Sequence, residues 1–416
     1  MQKINNKIWD VIIIGGGASG MMTAAVASSR SLSVLIIDKN KFLGEKLKIT
    51  GGGRCNITNN EPDIHKLLKV YGDGAPYLYS PFSIFGVLDT FKYFESRGLP
   101  LVVQARNRVF PKTEKAIDVF NVLYKELINN KVVIETSCVV NKINKEENKI
   151  IDIETNKGKF YAKSFVLATG GLSHPETGST GDGFKFLRSI GHSVIDPSPD
   201  VVPLMISDNW VKSLAGVSLS FMKITFYLDK QKQFSKKGKI LFTHFGLSGP
   251  LILNSAKNIM PLIDKGEVTA SIDLYPDTNI GDLEKRIVKI FDLNKNKMLK
   301  SIIKEIVPEG MQKAFEEIID FIDIETKIHS IKKEERRKIV DLLKNLSMTV
   351  EGLMGHDRSV ITNGGVILSE IETKTMRSKL FKNLYITGDL IHLDRNSGGY
   401  SLQICWTTGY IAGISV

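Results

Sequence analysis

Asp10-Val11-Ile12-Ile13-Ile14 runs straight into Gly15-Gly16-Gly17-Ala18-Ser19-Gly20. Four β-branched residues in succession have the composition of a strand buried on both faces. The glycines that follow have the spacing Gly15-x-Gly17-x-x-Gly20, and Met21–Ser29 then has the small, apolar make-up of a buried helix. Together these parts can bind a pyrophosphate. Gly15 permits the tight turn, Gly17 lets phosphate approach the backbone, and Gly20 lets the helix lie close to the strand. The unpaired N–H groups and the dipole at the helix start favour negative charge. Val34-Leu35-Ile36-Ile37 is a second apolar strand, and it ends at Asp38, 18 residues beyond Gly20. An acid at about that distance binds the hydroxyls of an adenosine ribose. Strand, glycines, helix, strand and terminal acid form one unit, which is far more specific than the glycine spacing alone.

Two further stretches carry chemistry. Lys46–Asn59 contains Thr50-Gly51-Gly52-Gly53-Arg54-Cys55-Asn56, too rich in glycine for a helix or a stable strand. Its backbone can approach something planar or anionic, with Arg54, Asn56 and Thr58 as donors. Near the C-terminus, Leu384–Thr387 is a short apolar strand ending in Gly388-Asp389, and Asn396–Tyr400 is a turn leading into an apolar helix over Ser401–Ile414. A carboxylate at such a strand end can hold a ribityl hydroxyl. A glycine-led helix start can stabilise the C2 carbonyl of a reduced flavin. Two glycine–helix units so far apart suit a long cofactor touched by both chain ends, FAD rather than NAD. For acid–base work the candidates are His244, beside Gly246 and Ser248, and His392, after the Gly-Asp strand end; a histidine titrates near neutrality.

The elements that must position these residues follow from the rest of the chain. Pro81–Arg97 has Phe82, Phe85, Leu88, Phe91 and Phe94 at helical spacing, read as core. Glu114–Asn129 is an amphipathic helix, and Val132–Glu135 and Cys138–Ile143 are strands. Phe165–Gly171 is a buried strand ending in small residues, as expected at the carboxyl edge of a parallel sheet. From about Asp196 the texture becomes short alternating segments, read as antiparallel β. Within it Phe242–Pro250 is too glycine-rich for a strand. Gly281–Leu346 is helical, with four apolar stripes.

The 416 residues allow two or three domains. Composition is that of an ordinary soluble globular protein, and no apolar run approaches the length of a membrane span. Cys55, Cys138 and Cys405 lack any paired spacing, so neither a disulfide framework nor a metal site is indicated. The polar start Met1–Lys7 leaves no room for a signal peptide, and a cytoplasmic location is expected. The net charge of +11 includes a cluster over Lys223–Lys239 that lacks interleaved aromatics. It reads as a solvated hairpin, and nucleic acid is disfavoured as a partner.

On Asp10–Gly20, Lys46–Asn59, Arg108–Pro111, Leu167–Gly183, Phe242–Pro250, Thr362–Val366, Thr375–Leu380 and Leu384–Gly413, the sequence resembles the bacterial flavoproteins described as HI0933-like, aminoacetone-oxidase-like or bile-acid-reductase-like. The resemblance implies an α/β, Rossmann-like two-dinucleotide-binding-type FAD domain in two parts, residues 1–195 and 349–416. An inserted antiparallel, barrel-like β domain (196–280) and a small helical bundle (281–348) would lie between them. The expected cofactor-binding set is Gly15, Gly17, Ala18, Ser19, Gly20, Asp38, Lys39, Lys46, Gly52, Gly53, Arg54, Asn56, Val140, Thr169, Gly170, Gly388, Asp389, Gly398, Gly399 and Tyr400. This chain departs from the family pattern after Gly388, where Asp389 replaces a usual Glu. It departs again where an Asp-x-Asp-Gly stretch reads His392-Leu393-Asp394-Arg395, and where Thr-Gly-Gly-Tyr-Asn reads Ser397–Ser401.

The expected activity is hydride transfer between NAD(P)H and a small organic substrate, with reduction of a carbon–carbon double bond conjugated to a carbonyl. No second glycine motif follows a strand, so NAD(P)H is expected as a transient visitor. The alternatives are a flavin amine oxidase that releases hydrogen peroxide and a flavoprotein acting on RNA. The oligomeric state is left open.

Overall fold

The computed structural model describes residues 7–61, 63–355 and 357–416. Met1–Asn6, and with them most of the polar start read above, lie outside the described residues, as do Pro62 and His356. The chain divides into two compact units. One comprises Met1–Pro199 with Ser359–Val416, and the other Asp200–Arg358. Each has its own apolar core.

The first unit is built on a nine-stranded sheet. Its centre is parallel, in the spatial order Leu384–Ile386, Gly158–Leu167, Ile8–Ile14, Val34–Ile37, Val133–Glu135. Val11–Ile14 and Val34–Ile37 are almost fully buried, as strands covered on both faces must be. The late strand Leu384–Ile386 pairs with Phe165–Leu167, so the C-terminal segment completes the sheet begun by the N-terminal one. The helix Tyr400–Ser415 lies against the helix Ala18–Ser29. A side chain on Gly409 would come within 2.6 Å of the Ser19 carbonyl, and one on Gly413 within 2.6 Å of Val26. Glycine four residues apart permits that close approach. A three-stranded antiparallel sheet, Thr58–Asn59 with Arg108–Pro111 and Leu101–Gln104, belongs to the same unit. The chain leaves by Val194–Asp200 and returns by Ile361–Val366, which pair with each other.

The second unit is a closed six-stranded antiparallel barrel with four α-helices, Ile280–Leu293, Leu299–Ile306, Gln312–Ile318 and Lys333–Lys344, between its fifth and sixth strands. The barrel order is Leu204–Ile206, Gly246–Ser248, Gln231–Thr243, Ser218–Leu228, Val268–Asp273, Leu346–Leu353. No helix among the described residues is long and apolar enough to cross a membrane.

Three local readings are corrected. The aromatic stripe is not one helix: Ala75–Ile84 and Val87–Glu95 are separated at Phe85-Gly86, and Leu88 is 78% exposed. Phe242–Pro250 does contain strand. Its glycines serve a two-residue hairpin, with Thr243 opposite Gly246 and His244-Phe245 at the tip. A side chain on Gly246 would press on the Leu204 carbonyl of the next strand, which explains a glycine inside a ladder. Cys138 precedes its strand, which begins at Val140.

Candidate functional site

The glycine turn sits at the carboxyl edge of the parallel sheet. Side chains on Gly15 and Gly20 would meet the carbonyls of Ala168 and Gly15 at 2.4 and 1.9 Å, so these two glycines let the chain pack on itself. Gly17 differs: nothing lies within 4 Å of where its Cβ would be. It caps the helix Ala18–Ser29, which has no side-chain cap and no acid in its first turn. That helix start therefore offers unpaired N–H groups facing open space.

Asp38 closes the turn from the other side. Its Oδ2 accepts from the Gly16 N–H at 2.7 Å, and its Oδ1 from the Asn40 N–H at 2.8 Å. Removal from water raises its pKa above the ordinary aspartate value, against the pull of those two donors. A carboxylate has about four acceptor positions, so both oxygens can still receive sugar hydroxyls. Val140 starts a strand just beyond Cys138, whose N–H donates to the Asp38 carbonyl. Lys39 is committed within the protein: its ammonium bonds Asp182 at 2.7 Å and the Thr180 hydroxyl.

The triple-glycine loop is left-handed throughout, with φ of 58, 67 and 83° at Gly51, Gly52 and Gly53. Only glycine adopts three such conformations in succession cheaply, and side chains on Gly52 and Gly53 would point into open space. Arg54 does not point freely into that space. Its guanidinium bonds Gln104 at 2.6 Å and Glu114 at 3.0 Å and stacks over Phe110. Cys55 is buried, and its thiol is pushed up to about 12, which suits packing rather than redox chemistry.

At the end of the strand Gly158–Leu167, Thr169 and Gly170 lie beside the first turn; a side chain on Gly15 would meet Thr169 Cα at 2.9 Å. The loop beyond is fixed by Thr362, a residue not singled out from sequence. Its hydroxyl accepts from the N–H groups of Leu172 and Ser173 at 2.7 and 2.9 Å. Lys46 donates to the Ser173 hydroxyl at 3.0 Å; burial lowers its pKa, opposed chiefly by Asp389.

Gly388 stands on the first turn: a side chain there would meet Ser19 Cβ at 3.2 Å, and its N–H donates to Thr408. Asp389 is ion-paired to the guanidinium of Arg395, which is 2% exposed and also donates to Ser401 and to the Leu393 carbonyl. The Asp-x-Asp-Gly departure thus puts a buried cation against the carboxylate that follows Gly388. Gly399, at φ 103°, starts the helix Tyr400–Ser415, which again lacks a side-chain cap and a first-turn acid. Its surroundings are tight. Asn59 donates to the Gly398 carbonyl at 3.1 Å, Tyr71 to the Tyr400 carbonyl, and Trp406 to the Ile57 carbonyl.

The candidate acid–base groups belong to different units. His392 is half-buried in the first unit, with its Nδ1 buried and without a hydrogen-bond partner. His244 is exposed at the hairpin tip of the second unit, its ring edge against Phe245. His174 was missed. It sits in the Leu167–Gly183 stretch with φ 51°, and its Nδ1 contacts Glu176 at 2.8 Å. The signal was a histidine-proline step just after a glycine-ended strand.

Among the described residues eight buried side-chain polar atoms lack a partner, and five belong to Ser19, Arg54, Asn56, Thr169 and His392, residues singled out by their motifs. Unsatisfied buried polar groups are costly. Their concentration along the glycine turns and strand ends, with open space at Gly17, Gly52 and Gly53, is the provision expected for an extended polar cofactor such as FAD.

Comparison with known proteins agrees. The chain is 28% identical over 407 residues to a 3-dehydro-bile acid delta(4,6)-reductase of Clostridium scindens, covering 96% of this chain and 97% of the relative. It is also 28% identical over 410 residues to a ribosomal RNA dihydrouridine synthase of Haemophilus influenzae, covering 97% and 98%. In fold it is similar to the 3-ketosteroid-delta4-(5alpha)-dehydrogenase of Rhodococcus jostii, with a TM-score of 0.55, 12% identity and coverage of 99% and 97%. The model of the HI0933-like protein Rossmann domain matches residues 9–415. With almost the whole chain matched, the protein belongs to the HI0933-like Rossmann family of FAD-dependent flavoprotein oxidoreductases.

Proposed function

We propose that this protein adds hydrogen across a ring carbon–carbon double bond conjugated to a carbonyl. The observation that carries this reading is its full-length similarity, at equal identity, to two enzymes whose names denote that one reaction. A bile acid delta(4,6)-reductase and a dihydrouridine synthase both saturate an electron-poor ring alkene. When bound, FAD supplies the hydride.

The chain's own residues have defined tasks in this reading. The uncapped start of Ala18–Ser29 receives the cofactor pyrophosphate, with Ser19 adding a hydroxyl. Asp38 takes the adenosine ribose and Asp389 a ribityl hydroxyl. Thr169 and Asn56 offer unpaired acceptors and donors beside them. The start of Tyr400–Ser415 stabilises negative charge on the ring. A proton must reach the carbon next to the carbonyl, and His392, with its unpartnered Nδ1, and His174, with Glu176 behind it, are the candidate donors. NAD(P)H visits and leaves, since no second glycine motif provides it a permanent site.

For the substrate, against the sequence reading that disfavoured nucleic acid, the arginines of the first unit favour a uracil base carried in RNA, in line with the rRNA-modifying relative. Asn59 donates to both the Gly398 and the Arg106 carbonyls, which sets Arg106 next to the second helix start. Arg108 loses basicity through burial and through the nearby charges of Arg106 and Arg54. Arg106 and Arg108 there, beside an Arg54 already held by Glu114, suit phosphate better than a sterol. The test is anaerobic incubation with NADH or NADPH and either rRNA lacking dihydrouridine or a 3-oxo-4-ene steroid. Digestion and mass spectrometry of the RNA should find dihydrouridine. A reduced steroid with unchanged RNA would transfer the reading to the sterol class. Peroxide formation from an amine, with neither product, would sink it.

A further inference from the structure

We infer that the barrel unit carries a site for a phosphoryl anion, on the outward-facing side of its barrel strands. A cavity of about 190 Å³ is lined there by Lys223, Thr225, Tyr227, Lys232, Ser271 and Lys344, among others. The strand register explains how it arises. Ile224 and Phe226 are fully buried in the barrel, so Lys223, Thr225 and Tyr227 face outward. Thr225 is paired with Ser235 on one side and Ser271 on the other, and Ser271 with Ser347. A row of four hydroxyl residues thus crosses four strands. The row to one side holds Lys223 between Lys237 and Asp273, and the row to the other holds Tyr227 between Lys232 and Thr269.

The charges that line the cavity select for an anion. The lining contains one carboxylate, Asp273, which is paired with Lys344 at 2.7 Å. Lys344 also donates to the carbonyls of Tyr275 and Thr278, so its three protons are engaged. Elsewhere in the basic hairpin, Lys237 pairs with Asp277, and Lys236 is held by Asn254 and Asn258. Lys223 and Lys232 have no such partner among the described residues. The cavity therefore presents two uncommitted ammonium groups beside hydroxyl donors, with its only acid already neutralised. A tetrahedral oxyanion with several acceptor oxygens matches that donor excess, and a cation or an apolar ligand does not. The phosphoryl group has two possible sources, the backbone of a polynucleotide or a small phosphorylated metabolite. Only the first source draws on the RNA reading above; the site itself does not.

The test measures binding by the full chain without turnover. Wild type, Lys223→Gln/Lys232→Gln and Lys223→Arg/Lys232→Arg are titrated with pyrophosphate by calorimetry and with a labelled single-stranded RNA 20-mer by anisotropy at several salt concentrations. The glutamine variant should lose pyrophosphate binding at least about tenfold and the arginine variant should keep it. If RNA is the source, the glutamine variant's RNA affinity falls as well, and its salt slope shrinks by about 0.7 for each phosphate released. Loss of pyrophosphate binding with unchanged RNA affinity assigns the site to a small phosphorylated ligand. Flavin content, read from absorbance of the same preparations, should not change, which separates this site from the one in the first unit. Equal binding of both probes by all three proteins, or no binding of either by wild type, overturns the proposal.

Discussion

The two helix starts of the first unit use one device in opposite surroundings. Both Ala18–Ser29 and Tyr400–Ser415 begin at a glycine, with no side-chain cap and no acid in the first turn. At Gly17 a Cβ would meet nothing, whereas at Gly399 it would lie 2.4 Å from the Thr58 carbonyl, on a backbone with φ 103°. The first glycine keeps space for a ligand. The second is required by the protein's own packing. A glycine at a helix start therefore identifies a possible anion site, and only its neighbours tell which of the two demands fixes the residue.

This contrast is breakable by experiment. The largest effect should come from Arg395→Met, which leaves the largely enclosed Asp389 without its partner behind the second start. Such a loss costs about 3–5 kcal/mol, measurable by denaturant unfolding, and Arg395→Met combined with Asp389→Asn should recover much of it. Gly399→Ala should follow, at about 3 kcal/mol, from left-handed strain and the clash with Thr58. Gly17→Asp should behave in the reverse way. Apoprotein stability should stay within about 1 kcal/mol of wild type, while flavin affinity drops at least about a hundredfold, near 3 kcal/mol. If Gly17→Asp unfolds the protein and Gly399→Ala does not, the contrast is wrong.

The smallest effect should come from Asp38→Asn. The folded pKa of Asp38 is raised, so the fold holds its proton more readily than the unfolded chain does. Its contribution to stability is present below the unfolded value of about 3.9 and is lost as pH rises through the folded value. Replacing it should raise apoprotein stability at neutral pH slightly and steepen the fall of the melting temperature on acidification, because the gain from protonating Asp38 is gone. Flavin affinity should fall about tenfold through loss of a charge-assisted ribose bond. An unchanged profile would mean that Asp38 is not perturbed by the turn it closes.

What was legible in the sequence follows the range of the interactions. The Gly15–Gly20 turn and its flanking strands are local, and their residue types dictate their form. The parallel pairing of Leu384–Ile386 with Phe165–Leu167 was approachable because both strands end in small residues at one sheet edge. Arg54 shows the limit. Its type and place marked it as a free donor, yet Gln104 and Glu114, 50 and 60 residues away, hold its guanidinium. Thr362 and Arg395 act through contacts that no spacing announces. The Phe82–Phe94 periodicity misled because Gly86 ends one helix and starts another within a single apolar stripe.

The closeness of Gly409 to the Ser19 carbonyl has a consequence for how the molecule is made. The barrel unit is continuous in sequence, so it has all its residues as soon as residue 358 leaves the ribosome. The other unit has its first strand early, but it waits for Leu384–Ile386 to complete the sheet and for Tyr400–Ser415 to cover the helix after the glycine turn. Without those residues the sheet lacks that strand and the helix Ala18–Ser29 lacks its cover, so the glycine turn is completed only by residues that follow the barrel unit in the sequence.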